Sequence, residues 1–309
     1  MDHILPSSSW TVDPSKDDAS VNHVVATKDG GMLECRFVQR KENYFIIYVS
    51  SHTGCNHSCR FCHLTATRQT MMSPASFEDY LSQVKKVLQT YEERKQNGLK
   101  PVSKVHVNFM SRGEALSNPT LVEQGVALFN KMEEIIHSVE PEAEVHFLVS
   151  SIIPKDFSGD LSVILNHPRA YLYYSLYSLD PSFRKRWLPK AMNPYEALEL
   201  SKRYQQQTGQ RVVLHWAMIE GQNDSEAQVQ DIINEVQGLD LKVKFNLVRY
   251  NPHDSRHGQE TSEKKLQQLF SMLKEAFGDS ESRIVPRVGF DVKASCGMFV
   301  DPKEEQAQV

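Results

Sequence analysis

Cys55, Cys59 and Cys62 stand at C-x3-C-x2-C spacing, with Phe61 directly before the third cysteine. Three thiolates can bind three irons of a [4Fe–4S] cubane and leave the fourth iron without a protein ligand. The amino and carboxylate groups of S-adenosylmethionine (SAM) can chelate that open iron. An electron at about −400 mV or below, typical of low-potential clusters, can then cleave the sulfonium to a 5′-deoxyadenosyl radical. The other chemistry open to these residues is zinc binding, with His57 or His63 as a fourth ligand. Structural zinc sites usually pair two short knuckles, and only one is present here. A non-catalytic zinc- or cluster-binding module is the corresponding reading of a different class.

Either site needs a scaffold. Residues 44–50, just before the cysteines, read as a β-strand. Further β-rich stretches at 104–110, 144–150, 170–176, 211–218 and 242–248 alternate with helical ones near 76–97, 119–138, 194–208, 224–237 and 262–277. Such alternation implies a parallel sheet wrapped by helices. Six strand–helix units are too few for a closed eight-unit barrel. The expected fold class is therefore α/β, a partial (β/α)6 barrel of TIM type with a short N-terminal β-hairpin extension. The hairpin is read from 22–27, the turn Lys28-Asp29-Gly30-Gly31 and 32–38. The expected organisation is a flexible leader at 1–20, the hairpin at 21–43, the barrel at 44–300 and a tail at 301–309. Reactive residues in such folds lie at the C-terminal ends of the strands.

With 40% hydrophobic and 24% charged residues, the 309-residue chain has the composition of a soluble globular protein. Its longest apolar stretches, such as 45–49, are far too short to cross a bilayer, so no membrane partner is expected. Residues 1–18 lack the apolar core of a signal peptide. Five cysteines then fit a reducing cytoplasm and metal or catalytic use better than disulfides. A net charge of −4 supplies no global attraction to nucleic acid, which would have to be held by local basic surface. A monomer is expected.

From Glu34 to Val300 the chain resembles the RlmN/Cfr family of radical SAM enzymes. The segments that carry the resemblance are Val49-Ser50-Ser51-His52-Thr53-Gly54-Cys55, Ser111-Arg112-Gly113-Glu114-Ala115-Leu116-Ser117-Asn118-Pro119, and Val149-Ser150-Ser151-Ile152-Ile153-Pro154. Further on come Tyr174-Ser175-Leu176-Tyr177, Phe245-Asn246-Leu247-Val248-Arg249-Tyr250-Asn251-Pro252, and Gly289-Phe290-Asp291-Val292-Lys293-Ala294-Ser295-Cys296-Gly297. Tyr177 stands where the family has histidine, and Ala115 where it has proline.

The resemblance implies a radical SAM barrel with a [4Fe–4S] cluster and SAM as cofactors, and Cys55, Cys59 and Cys62 as cluster ligands. It further implies methylation of carbon 2 or carbon 8 of an adenine in large-subunit rRNA, some members also acting on tRNA. The partners expected are RNA and a reductant such as flavodoxin or ferredoxin. Gly113 and Glu114 match the segment that holds the SAM amino group, a natural partner for a carboxylate. Ser150 and Ser175 fall near SAM, and Asn251 at its ribose. Cys296 matches the cysteine that carries the methyl group. A thiolate can take a methyl cation from SAM where an adenine C–H carbon cannot. A second SAM supplies the radical that abstracts hydrogen from the S-methyl group, and the carbon radical adds to the base. Taken singly, each polar residue could be a strand-end cap, and Cys296 a buried structural thiol.

The chain departs from the family in three ways. Product release there uses a second cysteine, seven residues before the first cluster cysteine, and Tyr48 occupies that position. Cys35 is the one spare thiol and the candidate substitute; a plain buried strand residue is the alternative. Glu34 resembles the family glutamate that accepts the adenine proton, with a one-residue shift. A half-buried carboxylate beside a cluster could be tuned for that work, while a solvent-facing strand-edge charge is the other reading. Family members also carry an N-terminal domain that helps grip RNA, and only a short polar leader precedes the hairpin here. Phe183-Arg184-Lys185-Arg186-Trp187-Leu188-Pro189-Lys190, with Arg249, Tyr250, His253, Arg256 and His257, would then hold the phosphates and stack on an extruded base. Each stacking contact contributes roughly 1–3 kcal/mol, enough to offset the few kcal/mol of base flipping; a solvated charged loop is the alternative. The expected function is a radical SAM methyltransferase acting on an adenine carbon in RNA through methylcysteine. The alternative is an enzyme of the same fold acting on a small molecule or another nucleic acid without that mechanism.

Overall fold

Short β-branched and aromatic runs separated by longer amphipathic stretches produce the alternation of strand and helix. The computed structural model describes residues 3–4 and 9–302. Its strands are β1 Thr11–Pro14, β2 Val21–Ala26, β3 Met32–Lys41, β4 Tyr44–Tyr48, β5 Lys104–Phe109, β6 Glu144–Ser151, β7 Ala170–Tyr174, β8 Val212–Ala217, β9 Val243–Val248 and β10 Arg283–Val285. The α-helices are α1 His63–Ala66, α2 Phe77–Gln96, α3 Pro119–His137, α4 Leu161–Ile164, α5 Pro181–Trp187, α6 Pro194–Thr208, α7 Glu226–Gly238 and α8 Glu263–Phe277. All the strands join one sheet in sequential order. β1 to β4 pair antiparallel, and β4 to β10 run parallel as an open, partial barrel.

The fold is the expected partial barrel, with two local differences. The leader 1–20 is not loose throughout: β1 pairs with β2, and the backbone N–H groups of His3 and Ile4 donate to the Asp79 carboxylate at 2.9–3.0 Å. Asp79 also closes a capping box with Ser76 at the start of α2, so one carboxylate serves a helix end and the N-terminal segment. Residues 1–2 and 5–8 of that leader, and 303–309 of the tail, lie outside the described residues. β10 is a further parallel strand that the six-unit reading missed, being only Arg-Ile-Val. The hairpin β2–β3 continues the sheet, because β3 pairs directly with β4.

Alternation along each strand divides the sheet into two faces. Phe45, Ile47, Val105, Val107, Val145 and Phe147 are fully buried in the cluster that holds Val84 and Val87 of α2 and Leu128 and Phe129 of α3. Each such side chain contributes about 1.5–3 kcal/mol by leaving water. The opposite face carries Tyr48, His106, Asn108, Ser150, His215, Asn246 and Arg283. A (β/α) barrel usually fills its interior with branched apolar residues; here polar side chains stand among apolar ones such as Ile46, Leu148 and Val248, around a cavity.

Candidate active site

The cysteine loop leaves β4 through Gly54, where a Cβ would lie 2.3 Å from the Met71 carbonyl oxygen and 2.5 Å from that of Gln69. Only glycine allows that approach. Cys55 N–H donates to the Gln69 carbonyl at 3.0 Å, and Cys62 N–H to that of Cys59 at 3.1 Å, just before α1. Phe61 stacks on Tyr177 with ring centroids 4.3 Å apart, so the tyrosine that replaces histidine braces the loop.

Cys55, Cys59 and Cys62 line one cavity together. Burial pushes the Cys55 thiol up to about 12 and that of Cys62 to about 11, and raises Cys59 well above the ordinary value. Metal coordination deprotonates such thiols outright. Among the described residues, no three or more His, Cys, Asp or Glu side chains converge as a single metal ion requires. His57 is engaged with Ser117 Oγ at 3.0 Å, and His63 Nε2 donates to the Asn251 carbonyl at 3.0 Å. Each histidine has one ring nitrogen so engaged, and His57 Nδ1 is buried without a partner. A cubane takes each thiolate on a different iron, which suits three cysteines spread along one wall.

Glu114 lies on the same wall, beyond β5. Its Oε1 accepts from Leu116 N–H at 3.1 Å and its Oε2 from Ile152 N–H at 3.2 Å. Burial raises its carboxyl to about 7 against those bonds and one from Ser151. Gly113 has φ +95°, and a Cβ there would meet His52 Nδ1 at 2.5 Å. Ser150 Oγ and Ser175 Oγ lie 3.5 Å apart at the ends of β6 and β7, on the cavity wall.

Cys296 comes from the far end of the sequence and lines the same cavity. Its side chain is exposed to the cavity space. Burial raises its thiol, while Arg36 and Arg40 pull it back down. Its loop is clasped from three sides. Asn251 Nδ2 donates to the Cys296 carbonyl at 2.8 Å and Ser295 Oγ at 3.1 Å, and Arg36 to the Met298 carbonyl at 2.6 Å. From the cluster side, His63 N–H donates to the Gly297 carbonyl at 3.0 Å. Asn251 Oδ1 accepts from Arg287 Nε at 2.7 Å, so both ends of that amide are engaged within the protein.

Three expectations change. Glu34 is neither half-buried nor facing solvent: it is fully buried and off the cavity wall. Its Oε1 accepts from Arg112 Nε at 2.7 Å and Val300 N–H at 3.1 Å, its Oε2 from Arg36 at 3.1 Å and Asn22 at 3.4 Å. A carboxylate held this way anchors two arginines and has no face for a substrate proton. Cys35 is fully buried in the core on the other face of β3, so it cannot resolve an adduct on Cys296. The basic segments are largely spoken for. Arg184 is buried on the carbonyls of Leu176, Ser178 and Met192, Arg249 pairs with Glu263 at 2.6 Å, and Arg256 and His257 pair with Asp254. Lys185 and Arg186 remain exposed on α5.

The cavity also holds residues that the motifs did not single out: Arg36, Arg40, Arg283 and His215. Charges at every second position of β3 (Glu34, Arg36) were the available signal, since a strand flanked by apolar residues must point them to one face.

An open parallel barrel with a three-cysteine loop after its first parallel strand has the fold of the radical SAM enzymes. The solved radical SAM methyltransferase from Sphaerobacter thermophilus shares it, with a TM-score of 0.75 over 95% of this chain and 81% of that one, at 20% identity. In sequence the chain is similar to the dual-specificity RNA methyltransferase RlmN of Wolinella succinogenes, 25% identical over 92% of this chain and 77% of that protein. It is also similar to RlmN of Campylobacter jejuni, 25% identical over 98% and 84%. The RlmN resemblance thus extends along nearly the whole chain. No family model matches it. Among the described residues, no helix is long and apolar enough to cross a membrane.

Proposed function

We propose that the chain is a radical SAM methyltransferase that modifies an adenine carbon in RNA, with Cys296 as the methyl carrier. The observation that carries this reading is the meeting of Cys296 with Cys55, Cys59, Cys62 and Glu114 around one cavity. Cys55, Cys59 and Cys62 would hold a [4Fe–4S] cluster, which supplies the open iron and the electron for cleavage of SAM. Glu114, fixed by two backbone N–H groups, would receive the SAM ammonium; Gly113 keeps the loop close enough to do so. Ser150 and Ser175 offer hydroxyls along the same wall. Asn251, in place of a ribose contact, would act as a positioning residue that holds the Cys296 loop. Lys185 and Arg186 are exposed on α5, and Lys190 acts electrostatically on Cys55 and His57, so these cations would meet the RNA backbone. The cytoplasm and a flavodoxin or ferredoxin as electron donor fit this reading.

The test is methyl transfer from labelled SAM to an RNA substrate by cluster-loaded protein. The Cys296→Ala variant should lose transfer and keep SAM cleavage. Transfer surviving in that variant would rule out Cys296 as the carrier.

A further inference from the structure

The interior of the barrel carries charge that methyl transfer leaves unused. Of the arginines on the cavity wall, Arg36 is bound to Glu34, Arg249 to Glu260 and Glu263, and Arg287 to Glu260. Arg40 and Arg283 have no ion pair among the described residues. Arg40 donates one hydrogen bond, to Tyr48 Oη at 3.3 Å, and the Nε atoms of both arginines are buried without a partner. His215 Nδ1, Asn108 Oδ1 and Asn246 Oδ1 are likewise buried and unpartnered, and the two asparagines are only 4% and 3% exposed. All these residues line the cavity, in which Glu114 is the sole carboxylate among the lining residues.

Buried polar groups are nearly always satisfied, and a buried charge without a partner is costly. The two buried Nε donors, on half-buried guanidiniums without an ion pair, therefore describe an anion's counterpart, and the two Oδ1 acceptors describe a hydroxyl or amino donor on the same ligand. Arg40 comes from β3 and Arg283 from β10, so the cations approach from different walls. His215 is held neutral, its pKa pushed down to about 4 by burial and by Arg40, and it brings hydrogen-bonding capacity without further charge. Arg40 also reaches electrostatically to Cys296, which places the charged interior next to the proposed methyl carrier.

We propose that the barrel interior beneath Cys296 is a binding site for a phosphate monoester, held between Arg40 and Arg283. Two guanidiniums match a dianion, and guanidinium geometry suits paired phosphate oxygens. Toward the N-terminal end of the strands the rings of Tyr44, His106, His146 and Tyr171 form a band, with successive centroid separations of 5.3, 5.5 and 5.8 Å. A group lying between that band and Cys296 is the end of its molecule, so the phosphate is a terminal one: that of a mononucleotide or of an RNA 5′ end. The site stands independently of methyl transfer.

The test is calorimetric titration of anaerobic, cluster-loaded protein with adenosine 5′-monophosphate, adenosine and inorganic phosphate. A parallel pair uses a short RNA with a 5′-adenosine, phosphorylated or bearing a free 5′-hydroxyl. The phosphorylated member of at least one pair should bind at least tenfold more tightly than its partner, and the pair that shows the preference identifies the source. Arg40→Gln and Arg283→Gln should each remove that preference, while Arg283→Lys retains part of it. Equal binding within both pairs overturns the proposal in the unaltered protein, whatever the variants' folding. A phosphate preference that survives both glutamine variants overturns it as well. A Cys296 that never acquires a methyl group would leave these outcomes unchanged.

Discussion

At the scale of the residue, the site separates groups that meet substrate from groups that hold others in place. On the proposed reading, Glu114 belongs to the first kind. With its carboxyl raised to about 7 by burial, it is protonated in the folded protein below that pH and cannot pair with an ammonium. SAM affinity should therefore fall by close to tenfold per pH unit below about 7, as equilibrium dialysis at several pH values would measure. The linkage runs the other way for the empty protein: a raised carboxyl favours the folded state in acid, and that contribution is lost as pH rises through about 7. Glu114→Gln should weaken SAM binding by about ten- to a hundredfold and flatten the pH profile, from loss of a charged hydrogen bond worth about 1.5–3 kcal/mol. Tyr48 makes the second prediction. No thiol other than the three cluster cysteines shares the cavity with Cys296, since Cys35 faces the core. Unaltered protein should thus accumulate a Cys296–RNA adduct, visible as a shifted band on a denaturing gel. Tyr48→Cys should release it; a wild-type protein that turns over repeatedly without an adduct would contradict this. The three-cysteine loop was legible in the sequence because its spacing is local, set within eight residues. Arg40 and Arg283 were not, because their role exists only where separate strands meet.

At the scale of the element, β3 decides much of the site. One face supplies Leu33, Cys35 and Phe37 to the core. The other supplies Glu34 to Arg36 and Arg112, and those arginines then tie down the Cys296 loop and the Val300 carbonyl. Removing the carboxylate leaves two buried guanidiniums without their counterion. Glu34→Gln should therefore cost about 3–5 kcal/mol of folding free energy, measured by chemical denaturation, with cluster content following stability. A variant as stable as the parent would mean that the arginines find other partners. The parallel strands and five long helices could be read in advance because their periodicity is strong. The short elements β1, β10, α1, α4 and α5 could not, because a few residues carry no period. The basic loops misled for a related reason: sequence shows the cations but not Asp254, Glu263 or the carbonyls that meet them.

At the scale of the whole molecule, the sheet does what neither motif can do alone. Parallel strands carry the cysteine loop, Glu114, Ser150, Ser175 and Asn251 to one end of the barrel, and the segment after β10 returns Cys296 to the same cavity. The order of these residues in the sequence was legible; their common cavity and its charged interior are properties of the assembled sheet. The most direct measurement is the mass of the Cys296 peptide after anaerobic cluster reconstitution and incubation with SAM. A single added methyl group on that thiol is the result this account predicts. An unmodified Cys296 in protein whose cluster is full and whose SAM is being cleaved would contradict it.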